Sequence, residues 1–230
     1  MIELHAFDDP RAQAGALAKA VSGALGASLA ASLNARATLA VSGGTSPRPL
    51  FEALASEPLD WARVDVTLVD DRWVPDTDAA SNARLVRETL LTNAASAARF
   101  APLVDVSVSI EARIAALNAD TSYALPNVAV LGMGEDGHTA SIFADAPAHE
   151  WAHALQTSER YVAVHPGAAP HARVSLSMSA LKGIDKLFLL ISGERKLDVL
   201  KAAASAPQEN AISKLANDKG VRLDVYWSAK

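Results

Sequence analysis

The 230-residue chain contains no cysteine. That absence excludes a disulfide framework, a thiolate nucleophile and cysteine-based metal or cluster sites, and it suits a reducing compartment such as the cytoplasm. A basic surplus is missing too: 21 Lys and Arg against 26 Asp and Glu leave a net charge of -5. Such a chain has no electrostatic footprint for nucleic acid or an anionic membrane, so an anionic ligand must be held by a few placed cations. No uncharged apolar stretch is long enough to span a bilayer, and the start Met1-Ile-Glu-Leu-His-Ala-Phe lacks the basic and apolar regions of a signal peptide. A cytoplasmic protein with neither nucleic-acid nor membrane partners is expected. Two catalytic signatures are absent as well. No Gly-x-Ser-x-Gly elbow occurs, which weighs against a serine hydrolase, and no glycine loop ends in the Gly-Lys-Ser/Thr of a nucleotide P-loop.

What is present is 50% hydrophobic and 20% charged sequence, enough for a substantial globular core. Ile2, Leu4 and Ala6 alternate as a strand, and Asp8-Asp9-Pro10 then opens an alanine-rich helix expected to reach about Asn34. Strands are expected at Thr38 to Val41, Val64 to Val69, Val128 to Leu131, Tyr161 to Val164, Val174 to Leu176, Leu187 to Ile191 and Leu223 to Trp227. Helical segments fall between them, at Pro49 to Ala55, Ser81 to Leu91, Ser107 to Ala119 and Glu194 to about Ala203. Strands separated by helices imply an α/β fold: a mainly parallel twisted sheet flanked by helices, Rossmann-like, with residues 1–230 as a single domain.

Several strands end in polar loops, the places where α/β sheets bind ligands. Val128 to Leu131 runs into Gly-Met-Gly-Glu-Asp-Gly-His138-Thr-Ala-Ser-Ile-Phe143, whose Gly132, Gly134 and Gly137 allow tight turns and close approach of backbone to a ligand. It reads as a buried strand delivering an imidazole. Ser42-Gly43-Gly44-Thr45 offers backbone N–H groups, hydroxyls and a helix start, the ingredients of a phosphate cradle. Asp70-Asp71-Arg72, read as a loop after the third strand, supplies carboxylates and a guanidinium. Arg173 and Lys196 are further phosphate ligands by type, one a bidentate fork and the other a point charge.

Taken in order, Ser42-Gly-Gly-Thr-Ser-Pro47, Val69-Asp-Asp-Arg-Trp-Val-Pro75, Ser81-Asn82, Leu131-Gly-Met-Gly-Glu-Asp-Gly-His-Thr-Ala-Ser141, Arg173-Val-Ser-Leu176 and Gly193-Glu-Arg-Lys196 resemble the 6-phosphogluconolactonase family. The resemblance runs from about residue 2 to residue 227. It implies the fold shared by glucosamine-6-phosphate deaminases and ribose-5-phosphate isomerases. The reaction it implies is hydrolysis of 6-phospho-D-glucono-1,5-lactone to 6-phosphogluconate, the second step of the oxidative pentose phosphate pathway. By motif, His138 becomes the base and Asp70 its helper, while Asp71, Arg72, Arg173, Lys196, Gly137 and the Ser42, Gly43, Gly44 and Thr45 loop bind the substrate. Asp71 stands where the family usually has glutamate, and Ser177 where threonine is common. A phosphosugar lactone is the expected partner of a monomer or small homo-oligomer, with no cofactor and no metal. The chemistry stands on its own terms: a lactone is an activated ester, needing a positioned water, a base and a place for the oxyanion, with Gly137 N–H groups or a cation as oxyanion donors.

Two other readings compete. His149-Glu-Trp-Ala-His153 matches the His-Glu-x-x-His zinc pattern, with Glu159 or His165 as the third ligand it would need; so short a pattern arises by chance, and no zinc site is assigned. A deaminase or isomerase of the same fold, or a non-catalytic sugar-phosphate sensor, would share the glycine cradle. Against the first, His138 is followed by Thr-Ala-Ser-Ile-Phe143 rather than by the Ile-Ala-Phe-Asn-Glu that places an acid for ring opening; against the second, no helix-turn-helix or basic patch accompanies the motifs.

Overall fold

The computed structural model describes residues 1–121 and 125–230. Among them the strands are β1 (Ile2–Phe7), β2 (Ala37–Val41), β3 (Val64–Leu68), β4 (Asp70–Arg72), β5 (Arg99–Phe100), β6 (Val128–Leu131), β7 (Tyr161–Val164), β8 (Arg173–Leu176), β9 (Lys186–Ser192) and β10 (Leu223–Ser228). The helices are α1 (Pro10–Ala30), α2 (Arg48–Leu54), α3 (Asn82–Thr89), α4 (Ile110–Ala119), α5 (Ala148–Gln156), α6 (Met178–Lys182), α7 (Glu194–Ser205) and α8 (Ala211–Ala216).

Seven strands form one sheet in the order β1-β10-β9-β6-β2-β3-β5, parallel at every pairing. Continuous apolar strands suit this position because helices cover both faces of a parallel sheet; every residue of β6 and of β3 is buried. The order has a consequence for function. From β2 the chain steps outward to β3 and β5, then returns to β6 on the other side of β2 and continues to β9 and β10. The direction of winding therefore reverses between β2 and β6, and a reversal of this kind opens a crevice at the carboxyl ends of the two strands. Ser42 N–H donates to Val130 O at 2.9 Å, so the glycine loop after β2 and the histidine loop after β6 start side by side.

Helix α1 begins as read, with the Asp9 carboxylate accepting from Arg11 N and Ala12 N and Pro10 in the first turn. It stops at Ala30, four residues before the expected end. Arg63 closes this end: its guanidinium donates to the carbonyls of Leu29, Ser32 and Ala35 at 2.7–2.9 Å, satisfying groups that have no donor within the helix.

A second sheet, β4-β8-β7, is antiparallel and was not foreseen. The segment read as a loop, Asp70 to Arg72, is a strand, paired Asp70↔Ser175, Asp71↔Val174 and Arg72↔Arg173. Val69 is the junction: its N–H donates to Val41 O in the large sheet and its C=O accepts from Leu176 N beside the small one. Helices α6 and α8 lie outside the helical segments expected from the sequence. They are five and six residues long, too short to show a period, and are held by Ser177 and Asn210 caps. No helix among the described residues is long and apolar enough to cross a membrane.

Candidate active site

Strand β6 ends at Leu131, and the chain closes at once into a braced loop. Gly134 N–H donates to His138 O at 2.9 Å, Gly137 N–H to Gly134 O at 3.1 Å, and the Thr139 hydroxyl reaches back to Gly132 O at 2.8 Å. Glycine is required here. Gly137 sits at φ +80°, and a Cβ on it would lie 2.7 Å from the Asn210 side chain; a Cβ on Gly134 would lie 2.2 Å from His138 Nδ1. The turn folds the chain back so that the Asp136 carboxylate meets His138 Nδ1 at 2.6 Å. That hydrogen bond holds the Asp136 carboxyl below the usual range against the opposing pull of desolvation. An ionised carboxylate only accepts, so it fixes the imidazole proton on Nδ1. The ring is fixed a second time by Phe143, whose centroid lies 4.1 Å away at an interplanar angle of 28°.

Asp70 was expected to assist His138, and the structure pairs the imidazole with Asp136 instead. Asp70 is buried and accepts from the Ser141 hydroxyl at 2.5 Å, with Arg173 Nη1 at 4.0 Å. The strand form of residues 70–72 explains what faces what. Successive side chains of a strand point to opposite faces, so Asp70 and Arg72 share one side with their register partners Ser175 and Arg173. Asp71 takes the other side. Its carboxylate accepts from Arg72 N, Asn82 N and Ala83 N at 2.7–3.1 Å, capping α3, and it does not line the cavity. Its expected contact with substrate is therefore corrected. Burial pushes the Asp71 carboxyl up to about 6 against those three N–H groups.

Two guanidinium groups directly opposite one another on neighbouring strands repel. Burial first and Arg72 second lower the pKa of Arg173. The Nε atoms of both arginines are buried and have no hydrogen-bond partner among the described residues. An orphaned buried donor costs about 1–3 kcal/mol, and a negative group beside the pair would offset both that cost and the repulsion.

These corners line one cavity of about 250 Å³ at the crevice between β2 and β6. Around it stand Ser42, Gly43, Gly44, Thr45, Asp70, Arg72, His138, Arg173 and Lys196, which sequence separates by up to 154 positions. Gly137 is not among the lining residues; it shapes the turn from behind, against Asn210. Residues given no role from the sequence also contribute. Asn82 lines the cavity and donates from Nδ2 to Asp70 O at 2.8 Å. Asp136 carried a usable signal, an acid two residues before a histidine across a glycine turn. Ser141 and Phe143 stand in the histidine segment, but nothing in its pattern announces their contacts with Asp70, His138 and Arg173.

The zinc-like segment goes elsewhere. His149 and His153 lie on α5, but Glu150 is bound to His165 N and Nδ1 at 2.7 and 2.8 Å, and His153 has Glu159 at 3.7 Å. Among the described residues the three-donor cluster is Glu3, His5 and Asp224. Arg222 pairs with both of its acids and Lys186 with Asp224.

Residues 8–224 match the family described as glucosamine-6-phosphate isomerases/6-phosphogluconolactonase. A 6-phosphogluconolactonase from Pseudomonas putida is 41% identical over 98% of this chain and 93% of its own length. The protein of that name from Neisseria meningitidis is 40% identical over 99% and 100%. The crystal structure of a 6-phosphogluconolactonase from Shewanella baltica superposes with a TM-score of 0.90 at 36% identity, covering 100% of this chain and 98% of that one. A monomeric glucosamine-6-phosphate deaminase shares the fold alone, at TM-score 0.79, 13% identity and coverage of 99% and 98%.

Proposed function

The chain belongs to the glucosamine-6-phosphate isomerase/6-phosphogluconolactonase family, and from that premise we propose how its cavity hydrolyses 6-phospho-D-glucono-1,5-lactone to 6-phospho-D-gluconate, the second step of the oxidative pentose phosphate pathway. Residues 1–230 act as one lactonase domain. His138 is the base. With Nδ1 held by Asp136, Nε2 takes a proton from water as the oxygen adds to the lactone carbonyl. The tetrahedral intermediate then collapses by breaking the ring C–O bond, and the imidazolium returns the proton to the departing ring oxygen. Asp136 orients the ring and offsets its charge in that interval.

The substrate's phosphate and sugar oxygens fall to Arg72, Arg173, Lys196 and the Ser42 to Thr45 loop, which face the same cavity. Asp70 keeps the Arg173 guanidinium near its place and receives the Ser141 hydroxyl from the histidine loop, tying the two corners together. One observation carries the reading: a carboxylate-held imidazole shares a cavity with two arginines whose Nε atoms are buried and have no partner among the described residues.

The test is hydrolysis of the phosphorylated lactone beside the unphosphorylated one, with spontaneous hydrolysis subtracted. His138→Ala is expected to lower kcat by roughly 100-fold or more while the protein stays folded, and the intact protein is expected to prefer the phosphorylated lactone strongly. Near-normal turnover in the variant sinks the role of His138; equal rates on the two lactones reduce the arginines to structural groups.

A further inference from the structure

Phe143 closes the histidine segment, and it touches both halves of the site. Its ring is stacked on the His138 imidazole at 4.1 Å, and the Arg173 guanidinium carbon lies 5.6 Å from the same centroid. It is 5% exposed, with neighbours that leave it little freedom: Ile142 N–H donates to Thr139 O at 3.1 Å, and Ala140, at φ +50°, sets the turn between His138 and the ring. Asp136 alone is a single hydrogen bond about which an imidazole can still rotate. A flat ring against the imidazole face removes that rotation.

We propose that Phe143 is a positioning residue for the hydrolysis, holding the His138 imidazole in its reactive plane and seating Arg173 through a cation–π contact, so that base and anion clamp keep one spacing. The inference rests on the lactonase reading above. A π face attracts a guanidinium and packs flat on an imidazole, and neither contact survives replacement by an aliphatic side chain of similar bulk. Small misplacement of a catalytic group is costly to turnover.

Phe143→Leu keeps apolar volume and removes the ring. It is expected to lower kcat by roughly tenfold, with a smaller rise in KM, while Phe143→Tyr restores kcat to within about threefold of the unmodified protein. A purely packing role predicts the opposite pattern, in which Leu and Tyr affect thermal stability and neither moves kcat. Should either variant fail to fold, the unmodified protein still decides. A stacked phenyl ring shifts the His138 ring C–H proton resonances upfield of those of the exposed His149 and His153, and resonances at ordinary positions overturn the proposal. Failure of the lactonase reading looks different, since the unmodified protein would then hydrolyse the phosphorylated lactone no faster than the lactone opens by itself.

Discussion

Two segments bring acids to the cavity, and they use them in opposite ways. Asp70-Asp71-Arg72 is extended, so its neighbouring carboxylates part company: Asp70 turns to the cavity side with Ser141 and Arg173, Asp71 into the start of α3. Glu135-Asp136-Gly137-His138 is a tight turn, so Asp136 folds back onto the imidazole while Glu135 reaches outward to Arg195 at 3.0 Å. Each pair of acids looks interchangeable as residue types. Backbone conformation assigns their work, since a period of two sends neighbours to opposite faces and a glycine turn brings residues two apart into contact.

The comparison breaks first at Asp136. Asp136→Asn removes the charge that fixes the imidazole tautomer, and kcat is expected to fall on the order of 100-fold with KM little changed; lactone hydrolysis by the purified variant measures it. If turnover is unchanged, the turn does not orient the base. Asp70→Asn should cost less, about tenfold in turnover, because Asp70 acts on Arg173 and the Ser141 tether rather than on His138. A larger loss at Asp70 than at Asp136 would invert the assignment of the two acids.

Asp71 sharpens the contrast through stability instead of chemistry. Burial places its folded pKa at about 6, above the ordinary carboxyl value. A carboxyl shifted in this direction contributes stability that is fully present below its unfolded pKa, near 4, and lost as the pH rises through about 6. Asp71→Asn cannot titrate. The Tm of the unmodified protein minus that of the variant should therefore decline by about 5 °C between pH 4 and pH 7 in thermal unfolding. A flat difference would mean that the Asp71 carboxyl is not held in a dry setting.

The legible parts of the molecule are those where chemistry and periodicity act locally. Val128 to Leu131 declared a buried strand, Asp9-Pro10 a helix start, and the glycine loops after β2 and β6 a ligand crevice, because each signal is contained within a few residues. Arg72, Arg173 and Lys196 were placed at the site through the order of their motifs, and they do share the cavity. The strand 70–72 was not legible, since three polar residues look like a loop until β8, about a hundred residues later in the chain, supplies the pairing. The contacts of Phe143 were hidden for the same reason: its place after His138 does not say that Arg173, thirty residues later, meets the same ring.

By itself, then, the sequence determined the parallel α/β fold, the polar loops at its strand ends and the imidazole proposed as base, because strand period, turn propensity and motif are properties of short stretches. Only the tertiary structure decided which acid meets His138, that Asp71 caps a helix, and that two arginines face each other with Nε atoms that have no partner among the described residues. Those are distances between residues that meet through a second sheet, and no local pattern encodes a partner that far along the chain.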